Sequence, residues 1–191
     1  MQRSDAPHQE LIRAKLAVVA MRKATTLNQF EESWKEYLGR IERTWNKISN
    51  HFGKSPKWNS WQGPFDRQRR QDSLLSYLVN ARGAEEHTVK EIVARELGGI
   101  GINPAFGNRI DHLEISNVGG QMNIKTTQPL KIEFIPGRIA LLPVVNRGRT
   151  YPVPNAHLGK TIDPTDVPAL AELGVVFYEN ALARAQAYFV K

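Results

Sequence analysis

The sequence predicts an α+β fold, a helical bundle with an antiparallel β meander inserted before its C-terminal helix. Three observations carry this reading. Within 28–52, Phe30, Trp34, Tyr37, Leu38, Ile41, Trp45, Ile48 and Phe52 recur at steps of three and four, one apolar stripe along a helix of about seven turns. From about residue 108 the hydrophobic period drops to two. Helical spacing then returns in 165–189, where Leu170, Leu173, Phe177, Ala181, Ala185 and Tyr188 form a second stripe.

Taken in order, residues 10–25 are rich in Ala, Leu, Lys and Arg and lack Gly and Pro, which favours a first helix. Asn28 followed by Glu31 offers a capping box for the second helix, 28–52. Gly53, Pro56 and Pro64 predict a loop over 53–65. A third helix is expected over 66–82, with Leu74, Leu75, Leu78 and Val79 buried and Gly83 interrupting or bending it. A fourth is expected over 85–97, stopped by Gly98-Gly99. Segments 110–116, 121–126, 130–135 and 138–145 read as strands, separated by turns at Asn117-Val-Gly-Gly120 and Pro136-Gly137. Residues 150–164 hold several Pro and turn formers and read as a surface loop. Asp163-Pro164 or Asp166 can start the last helix. The bundle thus comprises 1–107 and 164–191, and the β-rich insertion 108–163.

The chain has 191 residues, enough for one domain with a sizeable insertion and a buried core. Its 41% apolar and 24% charged residues exclude disordered and collagen-like classes. No apolar run approaches the roughly 18–20 residues of a membrane span, and residues 1–10 hold no apolar core of a secretory signal. A soluble, cytoplasmic protein is expected, with no membrane partner. Cysteine is absent, which removes disulfides, thiolate zinc sites and cysteine nucleophiles. The formal net charge of +7 fits either a polyanion partner such as RNA or a solvated surface.

The sharpest motif is Arg82-Gly-Ala-Glu-Glu-His87. Cleavage of RNA by its own 2′-hydroxyl needs one group to take that proton and another to protonate the leaving oxygen. Histidine titrates in the right range, and an arginine fork matches phosphate oxygens. A surface ion pair of Arg82 with Glu85 or Glu86 is the plainer reading of the same residues. The same spacing also occurs as Arg3 and His8, near the terminus. Residues 54–70 interleave Trp58 and Trp61 with Lys54, Lys57, Arg67, Arg69 and Arg70, a composition that suits single-stranded nucleic acid. Alternatively, the two tryptophans close one end of the bundle. Asp111, Glu114 and Asn123-Ile-Lys125 invite comparison with metal-dependent nucleases, but Asn123 stands where the middle acid is needed, so no metal site is assigned and no cofactor is expected. His157 has no recognisable partner in the sequence.

The Arg82–His87 spacing, with its context Leu74-Leu75-Ser-Tyr-Leu-Val-Asn-Ala-Arg82, resembles the R-x4–6-H signature of HEPN-domain ribonucleases over roughly residues 25–100. The resemblance implies a homodimeric, metal-independent endoribonuclease of toxin–antitoxin or antiviral type, with an antitoxin or other protein partner. It implies that Arg82 holds the scissile phosphate and that His87 transfers protons. Gly83 departs from the family, which often carries a polar residue there. The alternative is an inactive, HEPN-like interaction module that docks a partner through the β meander.

Overall fold

The structure, a computed structural model, describes residues 4–87 and 93–190, with side chains over 4–84 and 93–190. It divides into two compact units, Met1–Arg95 with Ile139–Lys191, and Glu96–Arg138. The α+β class holds, with five helices and small antiparallel hairpins among the described residues. No helix among the described residues is long and apolar enough to cross a membrane.

The first unit contains helices α1 (Ala6–Lys23), α2 (Leu27–Phe52), α3 (Trp58–Gln71), α4 (Ser73–His87) and α5 (Val167–Phe189). The stripe on α2 is buried from Trp34 to Phe52, because α1, α4 and α5 of the same chain cover it. Burying such side chains stabilises by about 1.5–3 kcal/mol each, which is why the amphipathic period prevails here. The α2 cap lies two residues earlier than expected. Thr26 Oγ1 accepts from the Gln29 N–H at 3.2 Å, and Gln29 Oε1 accepts from the Thr25 N–H at 3.0 Å. At α5, Asp166 is the cap and accepts the Ala169 N–H at 2.9 Å. Leu170, Phe177, Ala181 and Ala185 are buried as expected, but Phe189 takes the last core position and Tyr188 is exposed.

Two expectations fail around residues 53–82. Residues 58–65 are helical despite Gly63 and Pro64, because α3 carries Trp58 and Phe65 into the core, and that packing outweighs local propensity. The expected single helix over 66–82 is also divided. Asp72 adopts an extended conformation (φ −70°, ψ 133°) and ends α3. Its Oδ1 then accepts the Leu75 N–H at 2.9 Å, so the residue that breaks one helix caps the next. Gly83 does not interrupt α4, which runs unbroken to His87.

Glu10 is a buried charge of this unit. It lies on α1 with 2% of its surface exposed, and receives Arg40 Nη1 at 2.8 Å and Lys47 Nζ at 2.5 Å. Burial alone would raise its pKa, but the hydrogen bonds from Lys47 and Arg40 outweigh this and hold the carboxyl below its ordinary value. A depressed folded-state pKa adds stability above the unfolded carboxylate range, and that stability is lost as pH falls through the folded value. Glu10→Gln should therefore cost about 2 kcal/mol at pH 7 and progressively less below about pH 4. Urea unfolding of both proteins at pH 7 and pH 3.5 checks this. An equal difference at the two values would remove ionised Glu10 from the account.

The β segments form hairpins, three of them nested, not a meander. Strand β1 (Val93–Glu96) pairs with β6 (Arg138–Leu141), β2 (Gly99–Pro104) with β5 (Leu130–Ile135), and β3 (Leu113–Val118) with β4 (Gln121–Thr126). The expected helix over 85–97 is thus corrected at both ends. Its first residues belong to α4, residues 88–92 lie outside the described residues, and 93–96 is strand. Val93, Ile139 and Leu141 enter the core of the first unit, so burial favours the extended conformation there. Gly98-Gly99 leads into β2 and stops no helix. At the hairpin tip Gly119 and Gly120 have φ of +61° and +82° between the paired Val118 and Gln121, which is the two-residue turn that requires glycine.

The expected strand 138–145 is two strands, because Leu142-Pro143 separates β6 from β7 (Val144–Asn146). β7 pairs with β8 (Arg149–Tyr151), and a small hairpin joins β9 (Ala156–His157) to β10 (Lys160–Thr161).

Candidate nucleic-acid interface

α3 ends in Arg67-Gln-Arg69-Arg70, and the helix sends these cations in different directions. Arg67 and Arg70 are exposed. Arg69 turns inward and is 11% exposed. Its Nη2 donates to Glu42 at 2.6 Å and its Nε to the Tyr178 hydroxyl at 3.1 Å, with its guanidinium 4.7 Å from the centre of the Trp45 ring. Arg69 therefore ties α3 to α2 and α5, and its charge is engaged inside the bundle.

The tryptophans divide in the same way. Trp58 is buried, with its ring centre 6.2 Å from that of Trp45. Trp61 is half-buried and stacks on Trp58 at 5.1 Å and on Phe65 at 4.7 Å. Both close one end of the bundle, and only Trp61 keeps an accessible edge for a base.

Arg70 meets residues the sequence reading did not single out. It lines a concave surface of about 410 Å³ together with Asp66 and Arg69 of α3, Ser76, Val79 and Asn80 of α4, and Arg149 and Tyr151 of β8. The Arg149 guanidinium lies 5.4 Å from the Tyr151 ring centre. β7 and β8 are joined by Arg147-Gly148, with φ of +50° and +74°, so one tight turn presents Arg147 and Arg149 close together. The signal in the sequence was Asn146-Arg-Gly-Arg149, a turn dipeptide that holds one cation and is followed by another. Asn146 Nδ2 donates to Asn80 Oδ1 at 3.0 Å, and Asn80 Nδ2 donates to the Ser76 carbonyl at 2.7 Å. These bonds fix the Asn80 amide at the groove wall.

Gly83 is explained by the same neighbour. A Cβ there would lie 2.5 Å from Asn146 Nδ2, so a side chain at 83 would displace the Asn146 amide from its bond to Asn80. Arg82 is half-buried and runs along α2 at Gly39, where a Cβ would sit 3.7 Å from Arg82 Nε. The His87 side chain lies outside the described residues. The unbroken helix sets positions 82 and 87 about 140° apart around α4. Position 87 falls in the helical row of Ser76, Asn80 and Gly83, whereas Arg82 lies on the α2 side.

His157 finds its partner in Asp72. Its Nδ1 lies 3.0 Å from Asp72 Oδ1, and the Leu158 N–H donates to Asp72 Oδ2 at 2.6 Å. Both side chains are nearly buried. Asp72 thereby joins the α3–α4 break to the β9–β10 turn, whose Leu158 and Gly159 have φ of +47° and +80°. Asp111, considered for metal binding, is paired with Arg109 at 2.9 Å, and Glu114 stands opposite Lys125 in the β3–β4 register.

Fold and site together define an α+β protein whose helical unit carries a polar groove rimmed by arginines. Comparison with protein-family models, with curated proteins and with solved structures finds no match for this chain.

Proposed function

We propose that this protein binds single-stranded RNA through the groove between α3, α4 and β8. We further propose that its HEPN-like segment cleaves that RNA without a metal, at a site completed by two copies of the chain. The observation that carries the binding reading is the convergence of Arg70 and Arg149, from separate segments, on a concavity walled by Ser76 and Asn80. Guanidinium forks match phosphate oxygens, and neighbouring hydroxyl and amide groups suit sugar and base edges. Arg67 and Arg147 extend the same charge along the surface.

The cleavage reading draws on the Arg82–His87 resemblance. In this chemistry the 2′-hydroxyl gives its proton to a base as its oxygen attacks phosphorus. The 5′-oxygen then leaves with a proton, producing a 2′,3′-cyclic phosphate and a 5′-hydroxyl. Arg82 holds the phosphate and His87 moves protons. Because positions 82 and 87 diverge around one helix, the proposed site takes one from each copy.

Binding of a labelled single-stranded RNA across a salt series tests the groove. Arg70→Glu with Arg149→Glu should weaken binding by at least about tenfold at low salt and flatten the salt dependence, since fewer counterions are released. An unchanged salt slope would place RNA elsewhere on the surface. Cleavage should persist in EDTA, fall by roughly 10²- to 10⁴-fold in His87→Ala, and be poor in Arg82→Lys, whose ammonium cannot reproduce the fork. A chain that binds RNA through these arginines and never cuts it is a binding module.

A further inference from the structure

The Glu96–Arg138 unit poses a physical problem. It contains no buried residue, and a two-stranded ribbon alone is marginal in water. Its register sorts the side chains by face. In β2–β5, Ile100 opposes Phe134, Ile102 opposes Ile132, and Pro104 opposes Leu130, so these six share one face. The intervening pairs, Gly99 with Ile135, Gly101 with Glu133 and Asn103 with Lys131, share the other. In β3–β4 the same sorting puts Leu113, Ile115, Ile124 and Met122 with Asn117 and Thr126 on one face, and Glu114, Lys125, Ser116, Asn123, Val118 and Gln121 on the opposite one. Each hairpin therefore has an apolar face with no layer upon it, and Phe134 is 81% exposed.

Charge narrows what covers this face. Residues 96–138 contain four bases (Arg109, Lys125, Lys131, Arg138) and four acids (Glu96, Asp111, Glu114, Glu133), so this unit is neutral and the whole +7 lies on the other. The ribbon charges are also matched among themselves. Arg138 meets Glu96, Lys131 meets Glu133, Arg109 meets Asp111, and Lys125 opposes Glu114. With no net charge and three of its four cations ion-paired, the ribbon offers a polyanion little to hold. A neutral apolar face meets its own copy without electrostatic cost, and a two-fold axis makes such a patch self-complementary. On the β2–β5 face Phe134, Ile132 and Ile100 are 81%, 47% and 38% exposed, adjacent apolar side chains of the kind that mark an interaction surface.

From this we infer that the protein dimerises through the ribbon, the apolar β2–β5 face of one copy packing on that of a second copy to form a two-layer β sandwich. The long α2 stripe cannot serve as the interface, because the same chain buries it. This inference is independent of RNA binding.

Sedimentation equilibrium and thiol crosslinking test it. The wild type should sediment as a dimer at about 10 µM, and Phe134→Lys with Ile132→Lys should weaken association by roughly 100-fold or more. The helical circular dichroism should stay unchanged in that variant, since neither side chain is buried in the helical unit's core. The absence of native cysteine permits a second reading. A short bismaleimide should link Ile102→Cys chains into dimers and leave Asn103→Cys, on the opposite face, largely unlinked. A monomeric wild type would overturn the inference, as would a dimer indifferent to the paired lysines. Equal linking of the two cysteine variants would overturn it too, because that pattern belongs to edge-to-edge pairing.

Discussion

Arg69→Ala should lower the stability of the helical unit by about 3 kcal/mol, read as a shift in the urea midpoint without a change in slope. The truncation acts at three places. Glu42 loses the guanidinium at 2.6 Å, the Tyr178 hydroxyl loses its donor at 3.1 Å, and the Trp45 face loses the group stacked 4.7 Å from its centre. Glu42 is a carboxylate left without its cation and Tyr178 a neutral hydroxyl left without a donor, so the Glu42 side carries the larger share of the loss. Arg69→Met keeps the stem volume, and joined to Glu42→Gln it should recover most of the stability, because only the partly exposed Asp66, 3.9 Å from Arg69, then loses a charged neighbour. Where these variants remain folded, RNA binding should keep its wild-type salt slope, in contrast to the Arg70 and Arg149 reversal. A loss below about 0.5 kcal/mol in Arg69→Ala would mean that water replaces the guanidinium at all three contacts.

Gly174→Ala should cost about 2–4 kcal/mol, an effect of similar size from one methyl group. Gly174 faces α2 and α4 from the buried side of α5, where a Cβ would overlap the Tyr37 hydroxyl and lie 2.9 Å from Leu78 Cδ1. Tyr37 has no room to yield, since it is fully buried with its ring stacked 5.5 Å from Trp34. Among the described residues its hydroxyl also has no hydrogen-bond partner, and burial pushes its pKa well above the ordinary tyrosine value. Tyr37→Phe alone should therefore be neutral or stabilising by about 1 kcal/mol. The double variant, Tyr37→Phe with Gly174→Ala, should be markedly more stable than Gly174→Ala alone, because the colliding atom is gone. Thermal unfolding of the four proteins completes the cycle. Strict additivity would show that the α5 backbone moves away and that Tyr37 is not the obstacle.

The reach of local pattern is visible in particular elements. The α2 stripe and the closing helix were legible because a helix repeats its own hydrogen bonds every few residues and shows its buried side as a period. Gly119-Gly120 was legible because that turn demands two positive φ values and glycine supplies them. The site was legible only in part. Arg67 and Arg70 could be named as exposed cations, but Arg69 looked the same in the sequence, and only the positions of Glu42, Trp45 and Tyr178 turned it inward. Arg149, Ser76 and Asn80 were missed, because a groove has no period. Its walls come from α3, α4 and β8, and no spacing in the chain relates them.

What the sequence determined by itself is therefore the α+β class, the buried stripe of α2 and the closing helix. Tertiary structure decided the rest. It extended α3 through Gly63 and Pro64 to bury Trp58 and Phe65, and it broke the next helix at Asp72 so that one carboxylate could cap α4 and hold His157. It also paired the strands as nested hairpins in place of a meander. The physical reason is common to all three. A helix closes its hydrogen bonds within four residues, so its determinants are local. A strand, a buried arginine or a shared carboxylate is satisfied by whatever the rest of the chain brings to it.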